Sequence, residues 1–239
     1  MSTYNTTKFE QGLESLNLSL SAGQMDQFML YYELLIEKNK VMNLTGITEF
    51  DEVIEKHFLD SLSLVKAVDL KGSESVLDVG TGAGFPGIPL KIVFPDLKVV
   101  LLDSLNKRIS FLNEVIEALY LDNISAVHGR AEDFARDVKY RESFDFCVSR
   151  AVSNLSSLAE YCLPYVNHGG CFVSYKSGKI EEELETAKKA VFVLGGKLEK
   201  VEKFELGDAE RSILVIRKER GTPKMFPRKA GLPTKEPIC

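Results

Sequence analysis

The sequence predicts an α/β fold: a mostly parallel sheet with helices on both faces, closed by an antiparallel C-terminal hairpin and preceded by a helical cap. Three observations predict it. From residue 72 onward, short apolar runs alternate with amphipathic stretches of helical period, the pattern of parallel strands joined by crossover helices. The strand-like runs are nearly continuous in apolar residues, as a sheet buried on both sides requires. Near the end, two further runs flank Gly207-Asp208 with no helix between them, so they read as a hairpin.

The elements follow in order. Residues 1–68 read as a helical extension packed on the core. Ser21 with Gln24 makes a capping box, after which Met25, Phe28, Met29, Tyr32, Leu35 and Ile36 recur at helical spacing. Thr48 with Asp51 reads as a second start, after which Val53, Ile54, His57, Phe58, Ser61 and Leu62 share one face. Residues 69–218 carry the sheet. Its runs are Ser75 to Val79, Val99 to Leu102, Ile124 to His128, Phe144 to Val148, Cys171 to Tyr175, Leu198 to Leu206 and Arg211 to Arg217. One intervening helix carries Leu105, Ile109, Leu112, Ile116 and Leu119. Another carries Ile180, Leu184, Ala187, Val191 and Leu194 and stops at Gly195-Gly196. Residues 219–239 form a basic tail rich in Pro, Lys and Gly, expected to be extended rather than helical.

Bulk properties bound the function. A chain of 239 residues, 44% hydrophobic and 27% charged, can bury a core. No run of about 18 apolar residues occurs, so no membrane span is expected, and the first residues, from Met1 to Lys8, lack the apolar run of a leader. A cytoplasmic protein is therefore expected; separately, a monomer is expected. The cysteines, Cys147, Cys162, Cys171 and Cys239, form no Cys-x-x-Cys pair, and His57, His128 and His168 are scattered, so no metal site is expected. The net charge is −5, but residues 211–239 hold eight Lys/Arg against two acids, leaving −11 for the rest. Such a tail is either a solvated terminus or a phosphate-contacting segment.

The strongest local signal is the run Asp78-Val79-Gly80-Thr81-Gly82-Ala83-Gly84-Phe85-Pro86-Gly87. A strand leads into glycines and then a helix, as needed where the backbone turns tightly or a ligand must touch it. Gly82, Gly84 and Gly87 also spell Gly-x-Gly-x-x-Gly, so an NAD-binding oxidoreductase is an alternative, as is a tight turn with no ligand. The acid-x-Gly-x-Gly-x-Gly form favours S-adenosylmethionine. Asp78 can fix the loop and, directly or through water, the ammonium of that cofactor, while Gly80, Gly82 and Gly84 supply bare backbone. Pro86 and Pro89 near the helix start make poor amide donors for a pyrophosphate. Asp103, ending the second strand, can accept ribose hydroxyls in either cofactor. Ser104 serves as N-cap of the next helix. Ala131 and Glu132, after the third strand, either bracket an adenine edge or simply start a helix. Arg150, ending the fourth strand, faces cofactor and substrate, because chemistry on such sheets lies outside the carboxyl ends of the strands.

What is absent also informs. There is no Asn/Asp-Pro-Pro-Tyr/Phe motif for amino-group methylation and no Pro-Cys nucleophile. A methyl on a sulfonium is already electrophilic, and a ring nitrogen with an in-plane lone pair needs no deprotonation. A site without general acid or base suits guanine N7 methylation, where alignment supplies the rate enhancement.

Taken together, these motifs resemble the glucose-inhibited division protein B family, bacterial methyltransferases that make 7-methylguanosine in 16S ribosomal RNA. The likeness is carried by Asn43-Leu44-Thr45, His57 with Asp60-Ser61, the glycine run, Asp103 to Arg108, Ser149-Arg150-Ala151, Arg211 with Val215 to Lys218, and the tail from Thr222 to Pro233. The resemblance implies a seven-stranded Rossmann-like methyltransferase fold, S-adenosylmethionine as cofactor and S-adenosylhomocysteine as product. It implies cofactor contacts at Gly80, Phe85, Ala131, Glu132 and Arg150, with Asp103 a further one. It implies an RNA surface at Lys107, Arg108, Arg130, Lys176, Arg211 and the tail, including Arg228 and Lys229. The partner would be 16S RNA, the small subunit or an assembly intermediate. Two other functions stay open on the residues: a non-catalytic RNA-binding protein and a small-molecule methyltransferase.

Overall fold

The computed structural model describes residues 4–150 and 153–239. Ala151 of the Ser149-Arg150-Ala151 motif and the residues from Met1 to Thr3 lie outside them.

The helical cap comprises α1 (Thr7–Ser15), α2 (Ala22–Met42), α3 (Phe50–Val53) and α4 (Asp60–Leu62), with a π-helical stretch Ile54–Leu59 joining the last two and a 3-10 turn Ser63–Lys66 following. The Ser21 capping box forms: its hydroxyl accepts from Gln24 N, and Gln24 Oε1 accepts from Ser21 N at 2.9 Å. The expected start at Thr48 does not. The N-cap is Glu49, without a side-chain cap, and Thr48 instead offers its carbonyl to Tyr32 Oη at 3.0 Å. The face read from Val53 to Leu62 is buried throughout.

The rest of the fold runs β1 (Ser75–Val79), α5 (Gly87–Val93), β2 (Lys98–Asp103), α6 (Asn106–Ala118), β3 (Ile124–His128), α7 (Ala131–Phe134), β4 (Phe144–Ser149), α8 (Leu155–Cys162), β5 (Val166–Ser177), α9 (Glu181–Val193), β6 (Gly196–Leu206), β7 (Ala209–Lys218) and α10 (Leu232–Lys235). The strands form one sheet in the order β3-β2-β1-β4-β5-β7-β6. The pairs among β1 to β5 are parallel, and β7 is antiparallel to both β5 and β6. The predicted hairpin is therefore real, and its second strand inserts between β5 and the first.

Alternation along the strands sends side chains to two cores. Val76, Leu101, Val148, Val173 and Val215 face α5, α6 and the helical cap; Leu77, Leu102, Cys147, Phe172 and Leu214 face α8 and α9. The cap thus shares one hydrophobic core with the sheet. Three of the four cysteines, Cys147, Cys162 and Cys171, are buried, and Cys239 is exposed.

Two further local expectations are overturned. Ser104 does not cap α6. Leu105 occupies the N-cap position, and its N–H is taken by Asp103 Oδ1 at 2.9 Å, because a carboxylate is the stronger acceptor. The tail is not simply extended. It folds back over α8, buries Phe226 and contains the one-turn helix α10.

Candidate functional site

β1, β2, β3 and β4 all end on the same edge of the sheet; the loops beyond them build one cavity, and the segment after β4 adjoins a second one between the helical cap, β5 and β7. The first is about 450 Å3 and is lined by the Val79-Gly80 backbone, Asp103, Arg130, Ala131, Glu132 and Ser153 among others. The second is about 510 Å3 and is lined among others by His57, Asp60, Arg150, Lys176 and Arg211; Ser153 lines both.

The glycine loop is held from beneath by two carboxylates. Asp78 is fully buried; its Oδ2 accepts from Gly87 N at 2.9 Å and Thr81 Oγ1 at 2.7 Å. Its Oδ1 has no hydrogen-bond partner among the described residues. Burial pushes this carboxyl up to about 6, against the pull of its Thr81 and Gly87 hydrogen bonds and of the Arg150 charge. Asp103 ties the loop to β2: Oδ2 accepts from Gly82 N at 3.0 Å and from Arg108 at 3.1 Å.

The glycines of the loop serve different ends. Gly80 contributes bare backbone to the cavity wall. Gly82 and Gly84 do not line it. Gly82 has φ +63° and open space where a Cβ would stand, so it answers a turn requirement. At Gly84 a Cβ would lie 2.5 Å from Ile88 Cδ1 and 2.7 Å from the Tyr31 hydroxyl, so it answers packing beneath the loop. The amides at the start of α5 are engaged within the protein. Gly87 N goes to Asp78, Ile88 N to Gly84 O and Leu90 N to Pro86 O. This helix start therefore offers little to a pyrophosphate, which disfavours the dinucleotide reading.

Arg150 lines the second cavity, and Phe85, which does not, packs behind it. Phe85 is buried; the His57 ring stacks on it with centroids 4.6 Å apart, and the Arg150 guanidinium lies 5.0 Å from its centroid. Arg150 donates to Asp60 Oδ2 and the Lys56 carbonyl, each at 2.9 Å, and contacts His57 Nδ1 at 3.2 Å. Arg211 donates to the other Asp60 oxygen at 3.0 Å. One buried carboxylate from the cap thus holds two arginines from the sheet. His57 has its pKa lowered to about 4, by burial first and then by Arg150, so it is neutral near pH 7. Its Nδ1 also lies 3.1 Å from the Lys56 carbonyl, and its Nε2 lies 2.8 Å from Thr45 Oγ1. Lys176 donates to Ser153 O at 2.6 Å and Glu183 Oε1 at 2.7 Å.

The remaining basic residues separate by environment. Lys107, Arg130 and Lys229 are exposed. Arg108 is paired with Asp103. Arg228 is an internal tie: its Nε and Nη2 grip Glu160, which is 0% exposed, at 3.0 and 2.7 Å. A buried carboxylate needs such a partner, and this departs from the expectation of a free phosphate contact. Sequence reasoning missed Ser153, Tyr161, Gly231 and Thr234, which also line the first cavity. It singled out Asp60, which lies three residues along the helical cap from His57, without seeing that it bridges two arginines. Among the described residues no group of three or more His, Cys, Asp or Glu side chains is placed to hold a metal, and no helix is long and apolar enough to cross a membrane.

A parallel sheet with an inserted antiparallel strand, and a cavity at the carboxyl ends of its first four strands, define a Rossmann-like methyltransferase. Solved structures share the fold. A SAM dependent methyltransferase from Aquifex aeolicus superposes with TM-score 0.51 at 20% identity, over 69% of this chain and 92% of that one. TYW2 from P. horikoshii, solved with MeSAdo, gives 0.54 at 19% identity, over 67% of this chain and 62% of that one. The GidB family profile, described as rRNA small subunit methyltransferase G, matches residues 24–214, and the chain belongs to that family. Among its relatives named Ribosomal RNA small subunit methyltransferase G, that of Lachnoclostridium phytofermentans is 58% identical over 98% of each chain. That of Bacillus subtilis is 49% identical over 98% of this chain and 99% of its own.

Proposed function

We propose that this chain transfers the methyl group of S-adenosylmethionine to N7 of a guanine in 16S ribosomal RNA, acting on the RNA, the small subunit or an assembly intermediate. The observation that carries the reading is the pair of cavities meeting at Ser153. One is suited to a nucleoside and the other to an anionic nucleotide.

The first cavity fits the cofactor. Its volume lies within the usual range for small-molecule sites, roughly 300–1,000 Å3. In this reading Asp103 accepts the ribose hydroxyls, Ala131 and Glu132 border the adenine, and the Gly80 backbone lies against the amino-acid part; that all four line this cavity supports it. The unpartnered Asp78 Oδ1 is a buried acceptor just beneath that wall. When bound, the cofactor supplies an electrophilic methyl.

The second cavity orients the target. Arg150 and Arg211, fixed by Asp60, present positive charge to a phosphate or to the guanine O6 face. No free base stands there. Both Asp60 oxygens accept from arginines, Glu183 is paired with Lys176, and both His57 ring nitrogens are engaged. A nucleophile that had to lose a proton would be poorly served. The in-plane lone pair of guanine N7 needs only to be aligned, which is what a rigid, fully paired cavity provides. Lys107, Arg130 and Lys229 extend the positive surface toward RNA.

Small subunits from a strain lacking this methyltransferase, incubated with methyl-labelled S-adenosylmethionine and the protein, should yield label in 7-methylguanosine after nuclease digestion. Label in any other nucleoside, or in none, refutes the proposal.

A further inference from the structure

The segment after β7 is built into the protein by polar contacts that run most of its length. Lys218 is 1% exposed; it donates to Leu163 O and to Thr222 Oγ1, each at 2.6 Å. Arg141 gathers the carbonyls of Thr222 at 2.8 Å and Phe226 at 2.9 Å, and Arg136 takes that of Pro227 at 2.8 Å. Arg228 is locked to Glu160. Ser157 Oγ donates to Pro233 O at 2.8 Å, and the Tyr161 and Thr234 hydroxyls meet at 2.7 Å. With Arg228 held inside and so many backbone carbonyls engaged, this segment is a strap laid across α8. It also lies beyond residues 24–214, where the family profile matches.

Where the strap ends is the informative point. Gly231 and Thr234 form part of the wall of the first cavity, beside Ala131, Glu132 and Tyr161. Gly231, at φ +80°, donates its N–H to Glu132 Oε1 at 2.7 Å. Glu132 opens α7 just after β3, whereas Ser153 and Arg150, which adjoin the second cavity, follow β4 across the sheet. The strap therefore closes the end of the cavity remote from methyl transfer.

We propose that residues 226–235 form the adenine end of the cofactor site, with Gly231 positioning the Glu132 carboxylate and Thr234 bordering the base. This rests on reading the first cavity as the site of S-adenosylmethionine. Gly231 holds Oε1, so the adenine amino group is received by Oε2. A charged acceptor held in one orientation discriminates a purine bearing an exocyclic amine from one bearing a carbonyl. The strap then serves cofactor recognition on its inner side, while Lys229 stays exposed on its outer side.

Titrations of the full-length protein with S-adenosylhomocysteine and with its inosine counterpart, S-inosylhomocysteine, test this. The wild type should prefer the adenosyl ligand by about tenfold or more, the range for a hydrogen bond to a charged group. Gly231→Pro removes the N–H and cannot adopt the positive φ, so it should weaken the adenosyl ligand and erase the preference, leaving the inosyl ligand little changed. A merely structural tail would weaken both alike. Amide hydrogen exchange on the wild type gives a second reading that needs no variant: S-adenosylhomocysteine should slow exchange at Gly231 and its neighbours at least tenfold. If the wild type binds S-adenosylhomocysteine while Gly231→Pro keeps the adenosyl preference, or exchange in the tail is unmoved, the strap proposal is overturned and the cofactor reading stands. If the wild type binds neither ligand, the cofactor reading itself falls and the strap with it.

Discussion

Alanine at Gly87 should damage this protein more than alanine at Gly82, although both glycines belong to the same motif. A Cβ at Gly87 would stand inside contact distance of Leu101 Cδ2 and 3.0 Å from Asp78 Oδ2. Leu101 is fully buried and cannot retreat. Overpacking of this kind costs about 1–3 kcal/mol. Moving the start of α5 to relieve it would stretch the hydrogen bond from Gly87 N to the buried Asp78 carboxylate, and bonds to charged groups contribute about 1.5–3 kcal/mol. Together, with the hydrogen bond stretched rather than lost outright, these give a loss of about 3–5 kcal/mol. At this chain length that is a fall in Tm of roughly 6–20 °C. At Gly82 the nearest atom to a built Cβ is Gly80 O at 4.0 Å, so only the left-handed backbone at φ +63° is penalised. That costs about 1–2 kcal/mol, or roughly 2–8 °C. Thermal unfolding of the two single variants beside wild type measures the difference. Equal shifts, or a larger shift for Gly82→Ala, would refute the assignment of Gly87 to packing over Asp78 and of Gly82 to the turn.

Three further outcomes follow from the site. Arg150→Ala should cut methyl transfer by about 100-fold through misplacement of the target, read at a temperature where the variant is folded because the buried Asp60 loses one of its two arginines; full activity would show that the second cavity is not where RNA is held. His57 is neutral in the fold, with its pKa lowered from 6.5 to about 4, so between those values the unfolded chain binds the additional proton. Its contribution is present above pH 6.5 and is lost as pH falls toward 4, about 3 kcal/mol in all. Asp78, raised to about 6, works in the opposite direction below that pH. The informative quantity is therefore wild type minus His57→Gln in chemical denaturation, which should shrink on acidification; a constant difference contradicts the burial argument. NADH should not compete with S-adenosylhomocysteine, because the first amides of α5 are already engaged; competitive displacement at micromolar NADH would revive the dinucleotide reading.

Much of the fold was legible because its signals are local. Apolar runs gave β1 to its ends and β3 to its ends, and Gly207-Asp208 placed the hairpin turn. The Ser21 box could be read because both partners lie within one turn. The failures share one physical cause: the deciding partner lay outside the pattern being read. Ser104 lost the N-cap to the carboxylate beside it, and Thr48 lost its role to a start one residue later. Asp60 meets Arg150 and Arg211 across 90 and 151 residues of chain, a separation no periodicity spans. The tail looked like a basic arm because its composition was visible and its carbonyl and carboxylate partners, on α8 and around residues 132–142, were not. At the glycine loop the motif pointed to the right place, but it could not say which glycines face the cavity and which make room behind it.

The most direct test of the account is a crystal structure of the protein with S-adenosylhomocysteine. The account predicts the nucleoside in the cavity at the ends of β1, β2 and β3, its ribose on Asp103, its adenine beside Glu132 and Gly231, and its sulfur toward Ser153 and Arg150. A ligand found elsewhere, or a cavity that stays empty at saturating concentration, would contradict it.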